Sequence, residues 1–137
     1  MLHLAAADET DLEIISVQMQ DAALRREDMR FEAKRHRFSL AANRFAWDAL
    51  PTQQRRRSAL RFDDVLSVQA QGMEVARADT VLSLLAISFA KIEALAGVIT
   101  LTFSSAISIR LHVSCINVAL DDLGGVWATA SVPSHEV

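Results

Sequence analysis

Met29-Arg30-Phe31-Glu32-Ala33-Lys34-Arg35-His36-Arg37-Phe38-Ser39-Leu40-Ala41-Ala42 is the stretch on which the fold turns, because apolar residues recur at every second position. Met29, Phe31 and Ala33 alternate with Arg30, Glu32 and Lys34, and Phe38, Leu40 and Ala42 alternate with Arg37, Ser39 and Ala41. A period of two is that of a strand with one buried face. Folding the stretch about Arg35-His36 pairs Ala33 with Phe38, Phe31 with Leu40 and Met29 with Ala42, all on one face, which predicts a hairpin. Arg-His is not the Asn-Gly kind of turn that hairpins favour.

Upstream, Leu2–Ala6 reads as a short strand. Asp8 is a good N-cap, with Asp11 at the reciprocating position and Glu9, Asp11 and Glu13 favoured by the helix dipole. The helix predicted over Glu9–Gln20 places Leu12, Ile15, Met19 and Ala22 on one narrow stripe, suited to lying on a sheet. Downstream, Phe45 and Trp47 close the alternating segment, and Pro51-Thr52-Gln53-Gln54 reads as a loop. Leu60 and Phe62 open another strand that Leu66, Val68 and Ala70 continue in the same parity. Asp64 falls on its apolar face, so either a bulge at Asp63-Asp64 turns it outward or one aspartate is buried and paired.

Val81–Phe89 is apolar on both parities, the pattern of a central strand covered on both sides. Val98–Phe103 and Ala106–Val113 form a second hairpin about Ser104-Ser105. Ile116, Val118 and Leu120 extend it after a flip at Cys115, or belong to a helix with Leu123. Gly124-Gly125 terminates whichever forms, and Trp127 packs the following segment onto the sheet.

Strands that follow one another without crossover helices argue against a parallel nucleotide-binding sheet. The expectation is an α+β fold: one N-terminal helix on a mostly antiparallel sheet of about six or seven strands. The sheet could curl into a partly open barrel, with a pleckstrin-like barrel as the alternative. The 137 residues make one domain, 1–137, and exclude a separate cofactor domain.

Half of the chain is hydrophobic (51%) and 23% is charged, a globular composition. The net charge of −3 hides a polarised chain. Residues 22–61 carry eleven of the fourteen basic side chains against four acids, a surplus of seven, and the remainder carries an acidic surplus of ten. Arg44, Arg55, Arg56 and Arg57 with Trp47 are accordingly the candidate ligand-binding residues. Guanidinium groups bind phosphate or carboxylate by charge-assisted hydrogen bonds, and an indole adds a stacking surface. The competing reading is a solvated strand face, and no nucleic-acid motif accompanies the charge.

Catalytic patterns are weak. Ser88-Phe89-Ala90-Lys91 has Ser-x-x-Lys spacing but ends an apolar strand instead of opening a helix. Asp63-Asp64 and Asp121-Asp122 cannot act as dyads, because neighbours on a strand face opposite ways; a bulge explains the first pair and a turn or cap the second. His3, His36, His112 and His135 have no partner at metal-ligand spacing, and Cys115 reads as a small buried hydrophobe. The expectation leans away from an enzyme and assigns no catalytic residue, metal or cofactor. A single cysteine, no basic leader and no apolar run near the roughly 20 residues of a spanning helix predict a cytoplasmic protein without membrane contact.

Asn43-Arg44-Phe45 with Trp47, the run Arg55–Phe62, Val81–Ile87, Cys115-Ile116, Leu120–Gly124 and Trp127 together resemble an alphaproteobacterial family of small uncharacterised proteins, domain of unknown function 2948. The resemblance spans nearly the whole chain and implies a stand-alone bacterial cytoplasmic protein, with no family activity to carry over. The favoured function is a non-enzymatic binding or assembly module that self-associates, its basic segment meeting the acidic remainder of another copy. The alternative is a nucleic-acid or phospholigand binder working through residues 22–61.

Overall fold

The architecture was obtained as a computed structural model, which describes residues 2–45 and 55–123. Residues 3 to 6 form β1 (His3–Ala6), and Asp8 then starts α1 (Glu9–Met19) by accepting the Asp11 N–H at 2.8 Å. Leu12, Ile15 and Met19 are its buried stripe. Ala22 does not continue that stripe. Asp21 takes a left-handed conformation (φ 65°), which ends the helical path and makes Ala22 the first residue of β2 (Ala22–Arg25).

A single 3₁₀ turn at Arg26–Asp28 leads into β3 (Met29–Glu32), and a second at Ala33–Arg35, closed by left-handed His36, leads into β4 (Arg37–Phe45). The hairpin predicted here forms, but its register is two residues tighter in sequence. Phe31 faces Phe38 and Met29 faces Leu40, because Ala33–Arg35 is spent on the turn. A shift of two keeps Met29 and Phe31 on the face of Phe38 and Leu40, although Phe31 is exposed there and Ala33 is lost to the turn.

β5 (Arg55–Phe62) and β6 (Val65–Gln71) are separate strands, not one. Left-handed Asp64 (φ 60°) bends the chain sharply between them, so that Val65 is buried and Leu66 is exposed, the reverse of the expected parity. β7 (Val81–Glu93), β8 (Ala96–Phe103), β9 (Ser108–Val113) and β10 (Val118–Asp122) complete the sheet. β7 is not covered on both sides: Val81 and Leu85 are exposed, while Leu82, Leu84 and Ile87 are buried across a bulge near Leu85. The hairpin about Ser104-Ser105 forms, with Ser105 and Ala106 left-handed, and the segment after Cys115 is a strand, not a helix.

The described residues thus form one α-helix and a ten-stranded sheet in the order β1-β10-β5-β4-β2-β7-β8-β9-β6, with β3 added beside β4. Every pairing is antiparallel. Six or seven strands were expected; the excess arises where Asp21, Asp64 and the Ser114–Asn117 loop break what read as continuous elements. The ladder does not close, so a closed barrel is not formed. Even so, Phe62 of β5 and Val65 at the far edge of the sheet lie within about 10 Å along the chain.

Asp63 N–H to Asn117 O, Ser114 N–H to Asp64 O and Val65 N–H to His36 O tie that corner. Both aspartates are engaged: Asp63 accepts from Arg37 and Arg61, and Asp64 from Asn117 and the Cys115 thiol. The core lies on the inward face, with Phe38 and Phe62 at 6.2 Å between rings, and α1 packs on β7, β1 and β4.

Candidate anion-binding site

The end of β4 and the start of β5 run side by side, with Asn43 opposite Arg57, Arg44 opposite Arg56 and Phe45 opposite Arg55. Cross-strand partners share a face, so this register sorts the arginines into two sets. Arg44 and Arg56 lie on the face that Leu40, Ala42, Ser58 and Leu60 also occupy, the inward one. Arg55 and Arg57 lie on the outer face.

Arg44 is fully buried (0% exposed). Its guanidinium meets the Asp122 carboxylate in a two-point contact, Nε to Oδ1 at 2.9 Å and Nη2 to Oδ2 at 2.8 Å, and Nη1 donates to Phe45 O at 3.0 Å. Ser58 Oγ donates to Asp122 Oδ1 at 2.6 Å, and the Leu2 N–H donates to Oδ2 at 2.8 Å. Burial is the largest influence on the Asp122 carboxyl and pushes its pKa up. The hydrogen bonds from Arg44, Ser58 and Leu2, with the charge of Arg44, outweigh burial and bring it from 3.8 down to about 2. A buried charge is tolerated only when paired and hydrogen-bonded in this way. Arg44 is therefore an internal strut, its charge matched inside the sheet, not a surface group.

On the outer face, Arg55 lies over the Phe45 ring at 4.0 Å to the centroid and donates to Asn43 O at 3.0 Å. Arg57 reaches Asp28 at 3.4 Å and the Asn43 side chain at 3.5 Å. Arg56 differs from its neighbours. It is half-buried on the inward face, and its Nε is buried with no hydrogen-bond partner among the described residues. Trp47 lies outside the described residues.

The structure thus brings Arg44, Arg55, Arg56 and Arg57 to one end of two adjacent strands but gives them unlike duties. Much of the remaining basic charge is also answered internally: Arg37 and Arg61 by Asp63, Arg25 by Glu27 and Arg35 by Glu32. Asp122 and Ser58 were not singled out as site residues, yet parity marks them. Asp122 follows Val118 and Leu120, and Ser58 precedes Leu60 and Phe62, each at two-residue spacing. Asp121, the other half of its acidic pair, faces outward and meets His3 Nδ1 at 2.8 Å. Neither residue sits in a turn or cap; both belong to β10.

Among the described residues no group of three or more His, Cys, Asp or Glu could hold a metal ion, and no helix is long and apolar enough to cross a membrane. The Cys115 thiol is pushed up in pKa, first by burial and then by its hydrogen bond to Asp64, which keeps it protonated and poorly nucleophilic at neutral pH. No curated protein and no solved structure matches the chain. A family model does, over residues 2–135, and the chain belongs to that family, described as "Protein of unknown function (DUF2948)".

Proposed function

We propose that the protein is a non-enzymatic binding module that receives an anionic group, a carboxylate or a phosphate, at the Arg55–Arg57 end of the sheet, with Arg56 as the contacting residue. The observation that carries this reading is the buried, unpartnered Nε of Arg56 beside the Arg44–Asp122 pair. Leaving such a donor unsatisfied costs about 1–3 kcal/mol, and an oxyanion would satisfy it with a charge-assisted bond once the half-buried side chain turns out to meet it. Arg55 and Arg57, on the opposite face of the same strand end, add positive potential there without touching the group that Arg56 would hold. An extended nucleic-acid surface gains less support, because neighbouring guanidiniums are held by Asp28, Asp63, Glu27 and Glu32.

We read the curled sheet as a partly open barrel, pinned at the Asp63-Asp64 corner. A bacterial cytoplasm is the compartment proposed, on the single cysteine and the family resemblance.

Calorimetric titration with inorganic phosphate, with acetate and with single- and double-stranded oligonucleotides tests the reading. Phosphate or acetate should bind wild type and fail to bind Arg56→Gln, while Arg110→Gln, an exposed arginine on β9, should behave as wild type. Equal binding by wild type and Arg56→Gln, or no anion binding by either, overturns it. Binding of oligonucleotide alone transfers the function to nucleic acid.

A further inference from the structure

The two ends of the sheet are finished differently. β1, at one end, has four residues, is packed by α1, and carries the His3–Asp121 contact. β6, at the other, runs seven residues, Val65-Leu66-Ser67-Val68-Gln69-Ala70-Gln71, and pairs as a strand only with β9 among the described residues; at its first residue His36 holds both the Val65 N–H and the Val65 carbonyl, so the open edge is that of residues 66–71. Natural sheets guard such edges with lysines, prolines or other charges, since unpaired N–H and C=O groups template a further strand. β6 has no charge and no proline. Its single irregularity, a register shift near Leu66, leaves Ser67 to Gln71 in regular pairing.

The inward side of β6 is also unfinished. Val68 and Ala70 pair with buried Leu111 and Ile109, so they belong to the core face, yet Val68 is only half-buried and Ala70 is exposed. Leu66, at the bend, is 58% exposed. A strand laid beside β6 would cover these positions.

We propose that β6 pairs with β6 of a second copy of this chain, antiparallel about Val68, joining two sheets into one. The segment is its own complement in that register. Val68 meets Val68, Leu66 meets Ala70, and Ser67 meets Gln69, each pair repeated by the twofold axis, so apolar faces apolar and no like charges meet. A charged partner strand would gain nothing from an uncharged edge, whereas an identical strand matches it residue by residue. This proposal is independent of the anion site, which lies on β4 and β5.

Light scattering and sedimentation of the wild type from about 1 to about 500 µM, a range that reaches weak dimers, form the test. They are repeated on Ser67→Glu/Gln69→Glu and on Ser67→Lys/Gln69→Lys. Wild type should show twice the chain mass. Each variant alone should be a monomer, because the twofold register sets like charges opposite one another, and an equimolar mixture of the two should recover the doubled mass.

A wild type that stays monomeric throughout overturns the proposal. So does a dimer unaffected by either variant, or a mixture that fails to re-associate. Circular dichroism establishes that the variants are folded. If a double variant is not, the other exposed pair of the register takes its place, as Leu66→Glu/Ala70→Glu and Leu66→Lys/Ala70→Lys, under the same outcomes.

Discussion

At the scale of the residue, Asp122 is the group on which most depends. Replacing it with asparagine takes the Asp122 carboxylate away from a fully buried guanidinium, so urea denaturation of Asp122→Asn should show a loss of about 3–5 kcal/mol. Its pH signature has a definite sign. The carboxyl titrates lower in the folded protein, about 2, than its ordinary 3.8. The stability it contributes is therefore complete above the ordinary value and disappears as the pH falls from about 4 toward about 2. Wild type should lose stability across that window, and Asp122→Asn should lose distinctly less. Equal acid slopes for the two proteins would show that Asp122 does not govern the acid limb. The same residue shows what a linear reading can see. Arg44 extends the parity of Phe38, Leu40 and Ala42, and Asp122 that of Val118 and Leu120, so the inward direction of both was legible. That they meet was not, because the pairing of β10 with β5 and of β5 with β4 brings together residues 78 positions apart.

At the scale of the element, α1 is held by more than its apolar stripe. Ser16 Oγ accepts the Ile87 N–H at 2.9 Å, close to the bulge where β7 and β8 slip register. Ser16→Ala would leave that backbone donor without its partner, at a cost of about 1–3 kcal/mol. Thermal or urea melts read the loss, and hydrogen exchange should speed up at Ile87 ahead of the rest of β7. The helix itself was readable to within one residue, from Asp8 at its start and from the spacing of Leu12, Ile15 and Met19. Strand boundaries were readable only where glycine, proline or a change of period marked them. Asp21, His36 and Asp64 turn the chain through left-handed conformations without being glycine. Aspartate and histidine tolerate that region, yet they are common elsewhere, so the letters alone carry little signal. The β5–β6 corner, the separate β2 and the two-residue shift of the first hairpin all follow from those positions. The apolar run of β7 misled for another reason. Val81 and Leu85 are exposed apolar residues, and composition cannot tell them from buried ones.

At the scale of the whole molecule, the charge asymmetry along the chain is answered in part by the fold. Asp63 and Asp122, from outside the basic segment, answer Arg37, Arg61 and Arg44. Most of the remaining pairs are solvent-exposed, and such pairs are worth about 0–1 kcal/mol each and are screened by salt. Raising sodium chloride from about 0.1 to about 1 M, where the Debye length shrinks to about 3 Å, should therefore change unfolding free energy by less than about 1 kcal/mol. A larger fall would mean that the exposed pairs act as a network. The pairing of β1 with β10 has a consequence in time. Residues 3 to 6 wait for residues 118 to 121 before their ladder can form, and the Leu2 N–H waits for Asp122. A nascent chain leaving the ribosome must hold its first strand unpaired, and α1 only partly seated, until nearly the last strand emerges. The sheet is thus finished by its latest strand and not by gradual growth, and a chain still short of residues 118 to 122 is the form most exposed to chaperones and proteases.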